Sequence, residues 1–378
     1  NQATRQEIYY ELGTLCSLQA DNPTKAIHFY QEVTKIDPDH LPSWQALHRQ
    51  YLIVSDYKTL SEVITKEIEL STNNDEIIRL LNELAEICEL QLNQPEVAIA
   101  SLEQIIEIEP KNENAFQKLE TLYTRAQDHD ALLKIWERHA NIAEPEEQKQ
   151  LLFKMACFLT DQNQPEQAIA ILCQIIEFDK TYQSARDLLA KLYRTQEQWQ
   201  ELVDLYEEEL QDTMDIQRLQ DLYIKLGHIW RRQGSDSDAL EMYRQAAEYA
   251  PDNVSVLRWI AEIYAKKSEP AKLLKVMQQE LGNSHLDQDR RIILLLQTGE
   301  VQEFSLDNPD AAGEQYKAVL DIQETNEVAL RGLERIYQKN KEYNSLRKNL
   351  ETQLSIAEKK DRILELKITL GVLIKEKF

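Results

Sequence analysis

One alanine returns through this chain at nearly fixed distance, as Ala26, Ala98, Ala168, Ala239 and Ala312, at intervals of 72, 70, 71 and 73 residues. Tyr51, Tyr123, Tyr193, Tyr264 and Tyr337 keep the same four intervals, and so do Leu60, Leu132, Leu202, Leu273 and Leu346. Three landmarks moving in step define a repeated unit. Such a unit cannot bury its apolar face alone and must stack on its neighbours. A length of 378 residues would otherwise suggest two or three globular domains, but a stacked array has no single core to outgrow.

Inside each unit the apolar residues recur three and four apart, which is helical spacing. Only 8 glycines and 10 prolines are present, and good helix formers dominate. In the first unit the spacing predicts helices over 5–20, 23–36, 41–54 and 57–71, with breakers at Asn22-Pro23, Asp37-Pro38 and Ser55-Asp56. Pro23, Pro95, Pro165 and Pro309 open the second helix of their units, where a missing N–H costs nothing. Pro38, Pro110 and Pro251 close it. The units run over 5–73, 74–145, 146–215, 216–286 and 287–360, and a partial sixth covers 361–378.

The first hairpin of each unit resembles the tetratricopeptide repeat (TPR) family. That family sets a large residue, Leu-Gly, a large residue, a small Ala, an aromatic, a small residue and a closing Pro at fixed offsets. The fourth unit reads Tyr223, Leu226, Gly227, Trp230, Ala239, Tyr243, Ala246 and Pro251. The first reads Tyr9, Leu12, Gly13, Ala26, Tyr30, Val33 and Pro38, with one extra loop residue. Gly13, Ala85, Ala156, Gly227, Gly299 and Gly371 hold the small crossing position. The glycines among them are expected to mark close helix crossings, because mid-helix Gly costs about 1 kcal/mol relative to Ala. Second hairpins are degenerate: His48, Glu120, Ala190, Ala261 and Glu334 occupy the Gly position, and the Leu60 series replaces the small Ala. The resemblance implies an all-α, right-handed α-solenoid of about 21 helices, one array over 1–378.

It also implies a protein–protein interaction scaffold or adaptor, a segment of a longer array that takes peptide segments or helices of other proteins along a concave groove. The family lines that groove with the first helix of each hairpin. By position this puts Tyr10, Phe153, Ile224 and Leu296 inward from the first hairpins, with His228 on the same face. Arg258 and Arg331 come from the second hairpins, followed one turn on by Lys191 and Arg335, with Arg194 beside Lys191. Glu86, Glu89, Glu300 and Glu303 are their acidic neighbours. The resulting basic stripe suits a partner segment bearing carboxylates and apolar anchors. The plainer alternative is that the charges form solvated ion pairs and the apolar residues belong to the core. Co-chaperone members grip a C-terminal carboxylate with a Lys and Asn pair. Here those positions hold Tyr10 and Thr14, Asn82 and Glu86, and Phe153 and Cys157, so that clamp is absent.

Enzyme chemistry finds no foothold in the motifs. No GxGxxG or Walker loop occurs, and no His pair has HExxH spacing. His129, between Asp128 and Asp130, reads as part of a helix cap. No cofactor or metal is expected. With 66 acidic against 43 basic residues, the net charge of −23 opposes nucleic-acid binding, which needs Lys and Arg to displace phosphate counterions. No run approaches the ~20 apolar residues of a membrane span. Cys16, Cys88, Cys157 and Cys173 read as small core residues, reduced as in a cytoplasmic setting. The chain has no initiator Met and reads as an excised piece. Ile363, Leu366, Leu370 and Leu373 form a stripe expected to stay open and to offer a seat for self-association. Two other readings are a regulatory or substrate-recognition arm of a larger enzyme and an RNA-processing helical repeat, which the charge opposes.

Overall fold

The computed structural model describes residues 2–18, 22–283 and 285–377, and among them it is all-helical, with no strand. The chain divides into two compact units, Asn1–Leu192 and Tyr193–Phe378. Among the described residues no helix is long and apolar enough to cross a membrane.

In the first unit α1 (Gln2–Leu18), α2 (Pro23–Ile36), α3 (Leu41–Val54), α4 (Tyr57–Leu70) and α5 (Asn74–Leu90) follow one another. Then come α6 (Pro95–Ile108), α7 (Glu113–Ala126), α8 (His129–Ala140), α9 (Pro145–Asp161) and α10 (Pro165–Phe178). The division falls within α11 (Gln183–Thr195). The second unit holds α12 (Trp199–Asp212), α13 (Ile216–Arg232), α14 (Asp236–Tyr249), α15 (Val254–Lys266) and α16 (Pro270–Leu281). It continues with α17 (Gln288–Glu300), a π-helical turn at Val301–Ser305, α18 (Pro309–Ile322), α19 (Glu327–Asn340), α20 (Tyr343–Ile356) and α21 (Lys360–Lys377).

Within each unit the packing is overwhelmingly between sequence neighbours: α1 on α2, α2 on α3, and so to α10; α12 on α13, and so to α21. This is the contact pattern of a helical repeat, in which every helix buries its apolar stripe on the elements before and after it. The bounds follow local chemistry. α2 and α3 begin and end where the spacing predicts, and the predicted end of α1 at residue 20 lies outside the described residues. Pro occupies the first turn of α2, α6, α10 and α18, while the side chains of Asn22, Asp56, Asn112 and Asp128 accept hydrogen bonds from first-turn amides of the helices they precede.

The turns repeat as strictly as the helices. Ser55, Gln127, Glu197, Ser268 and Lys341 all have positive φ, at the same intervals as the Tyr51 series. One left-handed residue thus reverses the chain in every second hairpin, although none of them is glycine.

The crossing of each first hairpin depends on a matched pair. A Cβ added to Gly13 would lie 2.7 Å from the ring of Tyr30, and one added to Gly299 would lie 2.7 Å from Tyr316. At Gly227 the distance to the Tyr243 ring falls to 2.4 Å. Where the crossing residue is Ala85 or Ala156, the residue in the tyrosine's register is Leu102 or Leu172, each fully buried. Gly faces Tyr and Ala faces Leu, so the volume at the crossing is conserved within the chain. Gly371 departs from this expectation. Nothing lies within 4 Å of where its Cβ would be, because no described helix follows it.

The expected open stripe on the last helix is also corrected. Leu366 and Leu373 are buried with Leu346 and Leu350, and Leu370 packs against the same cluster, since α21 turns this face onto α20. The exposed apolar residues are Leu364, Ile368, Val372 and Ile374.

Overpacking a tight crossing costs about 1–3 kcal/mol. Gly227→Ala should lower the unfolding free energy by that amount in denaturant titration, and Tyr243→Leu should relieve most of the added cost. Strictly additive effects in the double variant would contradict the matched-pair account.

Candidate functional site

The sequence landmarks are apolar, yet the structure reveals a polar register running in the same rhythm. Glu67, His139, Glu209, Glu280 and Gln353 sit on the fourth helix of successive repeats, at intervals of 72, 70, 71 and 73. Each is held at the joint with the next repeat. Glu67 accepts from Nδ1 of His48 at 2.8 Å, and Nε2 of that imidazole reaches Glu83 of α5 at 2.9 Å. His139 lies 3.4 Å from Glu147 of α9 and stacks on Phe116 at 4.2 Å. Glu209 accepts from Arg218 of α13 at 2.6 Å.

In the next repeat, Glu280 accepts a two-armed grip from Arg290 of α17, at 2.9 and 3.1 Å, and a third bond from Arg258 of α15 at 3.3 Å. Gln353 accepts from Arg362 of α21 at 2.7 Å and donates to Glu334 of α19 at 2.9 Å. Glu67, Glu209, Glu280 and Gln353 are all buried. A buried carboxylate persists only when paired, so each such joint ties two repeats together through one compensated charge.

Desolvation lowers the pKa of His48, but hydrogen bonds to Glu67 and Glu83 outweigh it and push the imidazole up to about 9. It is therefore a cation at neutral pH. His228 behaves in the opposite way. Burial and the charge of Arg231 hold its pKa below the ordinary value. Its Nδ1 lies 2.9 Å from the Tyr243 hydroxyl, and its ring packs edge-on against Trp259.

Beside two of these joints the surface opens into a cleft. One, of about 400 Å³, is lined by Arg258, Glu280, Arg290 and Leu294 among others. The other, also about 400 Å³, is lined by Arg331, Gln353, Arg362 and Leu366, the residues in the same register one repeat later.

The residues expected on a groove divide into three sorts. Tyr10 packs between Tyr30 and His40, and Phe153 stands edge-on to Tyr182 at 5.5 Å, so both are half-buried in the first unit. Ile224 and Leu296 are likewise half-buried against the clusters around Tyr243 and Tyr316. Lys191 and Arg194 are exposed, with Arg194 donating to the Tyr206 hydroxyl at 3.2 Å.

The arginines are not a bare basic stripe. Arg258 is paired with Glu280, Arg331 with Glu327 at 3.2 Å, and Arg335 with both oxygens of Glu303 at 2.8 Å. Burial raises the Glu303 carboxyl, but Arg335 and the Tyr316 hydroxyl bring it below its ordinary range. His129 opens α8 and sets its ring edge-on to Phe158. Among the described residues no cluster of three or more His, Cys, Asp or Glu side chains is arranged to hold a metal ion.

Residues 6–40, 78–112 and 185–218 each match a family model described as tetratricopeptide repeat. The first two segments cover first hairpins. The third covers a second hairpin, α11 and α12, so that one degenerate hairpin also carries the repeat signal. No curated protein matches the chain. Similar solved structures include YrrB, a TPR protein with an unusual peptide-binding site, which is 19% identical with a TM-score of 0.31 over 48% of this chain and 89% of its own. MamA is 18% identical with a TM-score of 0.29, over 48% and 96%. Yeast Tom70 is 14% identical with a TM-score of 0.31, over 100% and 97%. Likenesses of this size transfer no site to this chain.

A raised imidazole pKa gives a pH dependence of known sign. The stabilisation from His48 is complete below its unfolded value of about 6.5 and is lost as pH rises through about 9. The first unit should lose on the order of 1–3 kcal/mol over that window in urea titrations. The His48→Gln variant should lack this slope, and a variant retaining it would contradict the assignment.

Proposed function

We propose, from the premise that this chain is a tetratricopeptide repeat protein built for protein interaction, that it is a non-catalytic scaffold without a cofactor. Its partners would be peptide segments or helices of other proteins, bound in series along the repeats. One observation carries the reading: two clefts share four lining positions in register, Arg258, Glu280, Arg290 and Leu294 in one and Arg331, Gln353, Arg362 and Leu366 in the next. Repeated shallow sites suit an extended polypeptide, which can offer a side chain to each, better than a single small molecule. Tyr10 and Phe153 in the first unit, and Ile224, His228 and Leu296 in the second, would supply the apolar contacts. Lys191, Arg194, Arg258, Arg331 and Arg335 would supply the charged ones.

Arg258 and Arg335 also hold carboxylates of their own repeats, so reversing their charge would disturb the fold. Lys191, Arg194 and Arg331 are the cleaner probes, being exposed. The triple variant Lys191→Glu, Arg194→Glu and Arg331→Glu should lose at least about tenfold in affinity for the proteins that co-purify with the full-length protein. An unchanged set of partners at unchanged affinity would remove these faces from the reading. Self-association is a second reading, supported by exposed Leu364, Ile368 and Val372 on α21. A strictly monomeric mass by light scattering would end it.

A further inference from the structure

α21 carries two apolar faces, and only one of them is used within the chain. Leu366, Leu370 and Leu373 pack with Leu346 and Leu350. Leu364, Ile368 and Val372 stand on the other side of the helix and are 60%, 58% and 50% exposed. Spaced four apart, they form one ridge, and a contiguous exposed patch of this kind marks an interaction surface. Gly371 is exposed beside them. At Gly13, Gly227 and Gly299, its equivalents in other repeats, a tyrosine of the neighbouring helix fills the space where a Cβ would stand. At Gly371 that space is open.

The charges around the ridge name the occupant. Asp361 lies seven residues before Ile368 and Lys375 seven after it, so the three share one side of the helix, two turns apart. Lys360 and Glu376 stand eight residues before and after. All four charged residues are exposed, and none has an ion-pair partner among the described residues. Their signs mirror one another about Ile368. A second α21 laid antiparallel, with the two Ile368 side chains at the crossing, sets Asp361 opposite Lys375 and Lys360 opposite Glu376. Two-fold symmetry makes each pair twice. The same rotation sets Leu364 against Val372 and brings Ile368 of the second copy within one turn of the open side of Gly371. A parallel pair would instead set Asp361 on Asp361 and Lys375 on Lys375. The helix holds five basic and three acidic residues in a chain of net charge −23. Two copies therefore repel one another less here than through an acidic face.

We propose that α21 is the contact face of a two-fold symmetric homodimer, with Ile368 at the crossing and Asp361 of each copy paired with Lys375 of the other. This rests on the self-association reading and gives it a partner and a geometry.

One helix from each copy makes an interface at the low end of the size range, so the dimer should be weak. Sedimentation of the whole chain over a range of concentrations should show monomer passing to dimer, with no larger species. Asp361→Lys and Lys375→Asp each set like charges across the axis and should weaken the dimer at least about tenfold. Mixed together, the two variants should form a heterodimer, and the double variant should recover the parent affinity. Ile368→Lys should leave a monomer. All three residues are exposed, so an unaltered thermal transition should accompany each change. A dimer indifferent to the charge variants, or a double variant without recovery, would overturn the two-fold pairing and leave self-association standing. Species that keep growing with concentration would mean head-to-tail contact and overturn it equally. A parent chain monomeric at every concentration would end both readings. If Ile368→Lys then strips a co-purifying protein from the full-length protein, the face belongs to that protein.

Discussion

A helical hairpin of this kind has apolar residues on more faces than its own partner helix can cover. Burying one Leu or Tyr side chain contributes roughly 1.5–3 kcal/mol, so most of the stabilisation of each helix arises only when the next hairpin arrives. The pairing of Gly227 with Tyr243, and of Ala85 in register with Leu102, shows how tightly this is adjusted: the backbones approach to the distance that the facing side chain permits. Everything else in each unit follows from that neighbour-on-neighbour packing.

Apolar contact alone would let adjacent repeats slide. The buried polar register resists this, because a carboxylate such as Glu280 is tolerable only where Arg290 and Arg258 meet it. The joint has several chemical solutions: a His cation between two carboxylates at Glu67, a Glu–Arg pair at Glu209, and an amide bridging Arg362 and Glu334 at Gln353. Variation in these solutions sets what faces outward beside each joint.

The helices were legible in the sequence because their signals are local. Pro23 and Asn22 start α2, and the spacing of its apolar residues marks its face. The glycine crossings were legible too, since mid-helix Gly calls for a packing reason. The polar joints were not, although their interval was in plain view. Glu280 alone looks like any solvated glutamate of an amphipathic helix, and only the helix after it makes it buried. The same limit explains the arginines. Glu303 lies 32 residues before Arg335 in the chain, and a pair so separated leaves no local trace. On α21 the sequence displays two apolar stripes, and the choice between them belongs to α20, which covers Leu366 and Leu373 and leaves Leu364 and Ile368 outside.

If stability is the sum of neighbouring contacts sealed by these joints, loss of one joint must loosen its own helices and no others. Hydrogen exchange of Glu280→Gln, compared with the parent chain, measures this directly. Faster exchange confined to α15, α16 and α17, with α2 to α9 unchanged, is the predicted result. Protection lost evenly from every helix, or from none, would contradict the account.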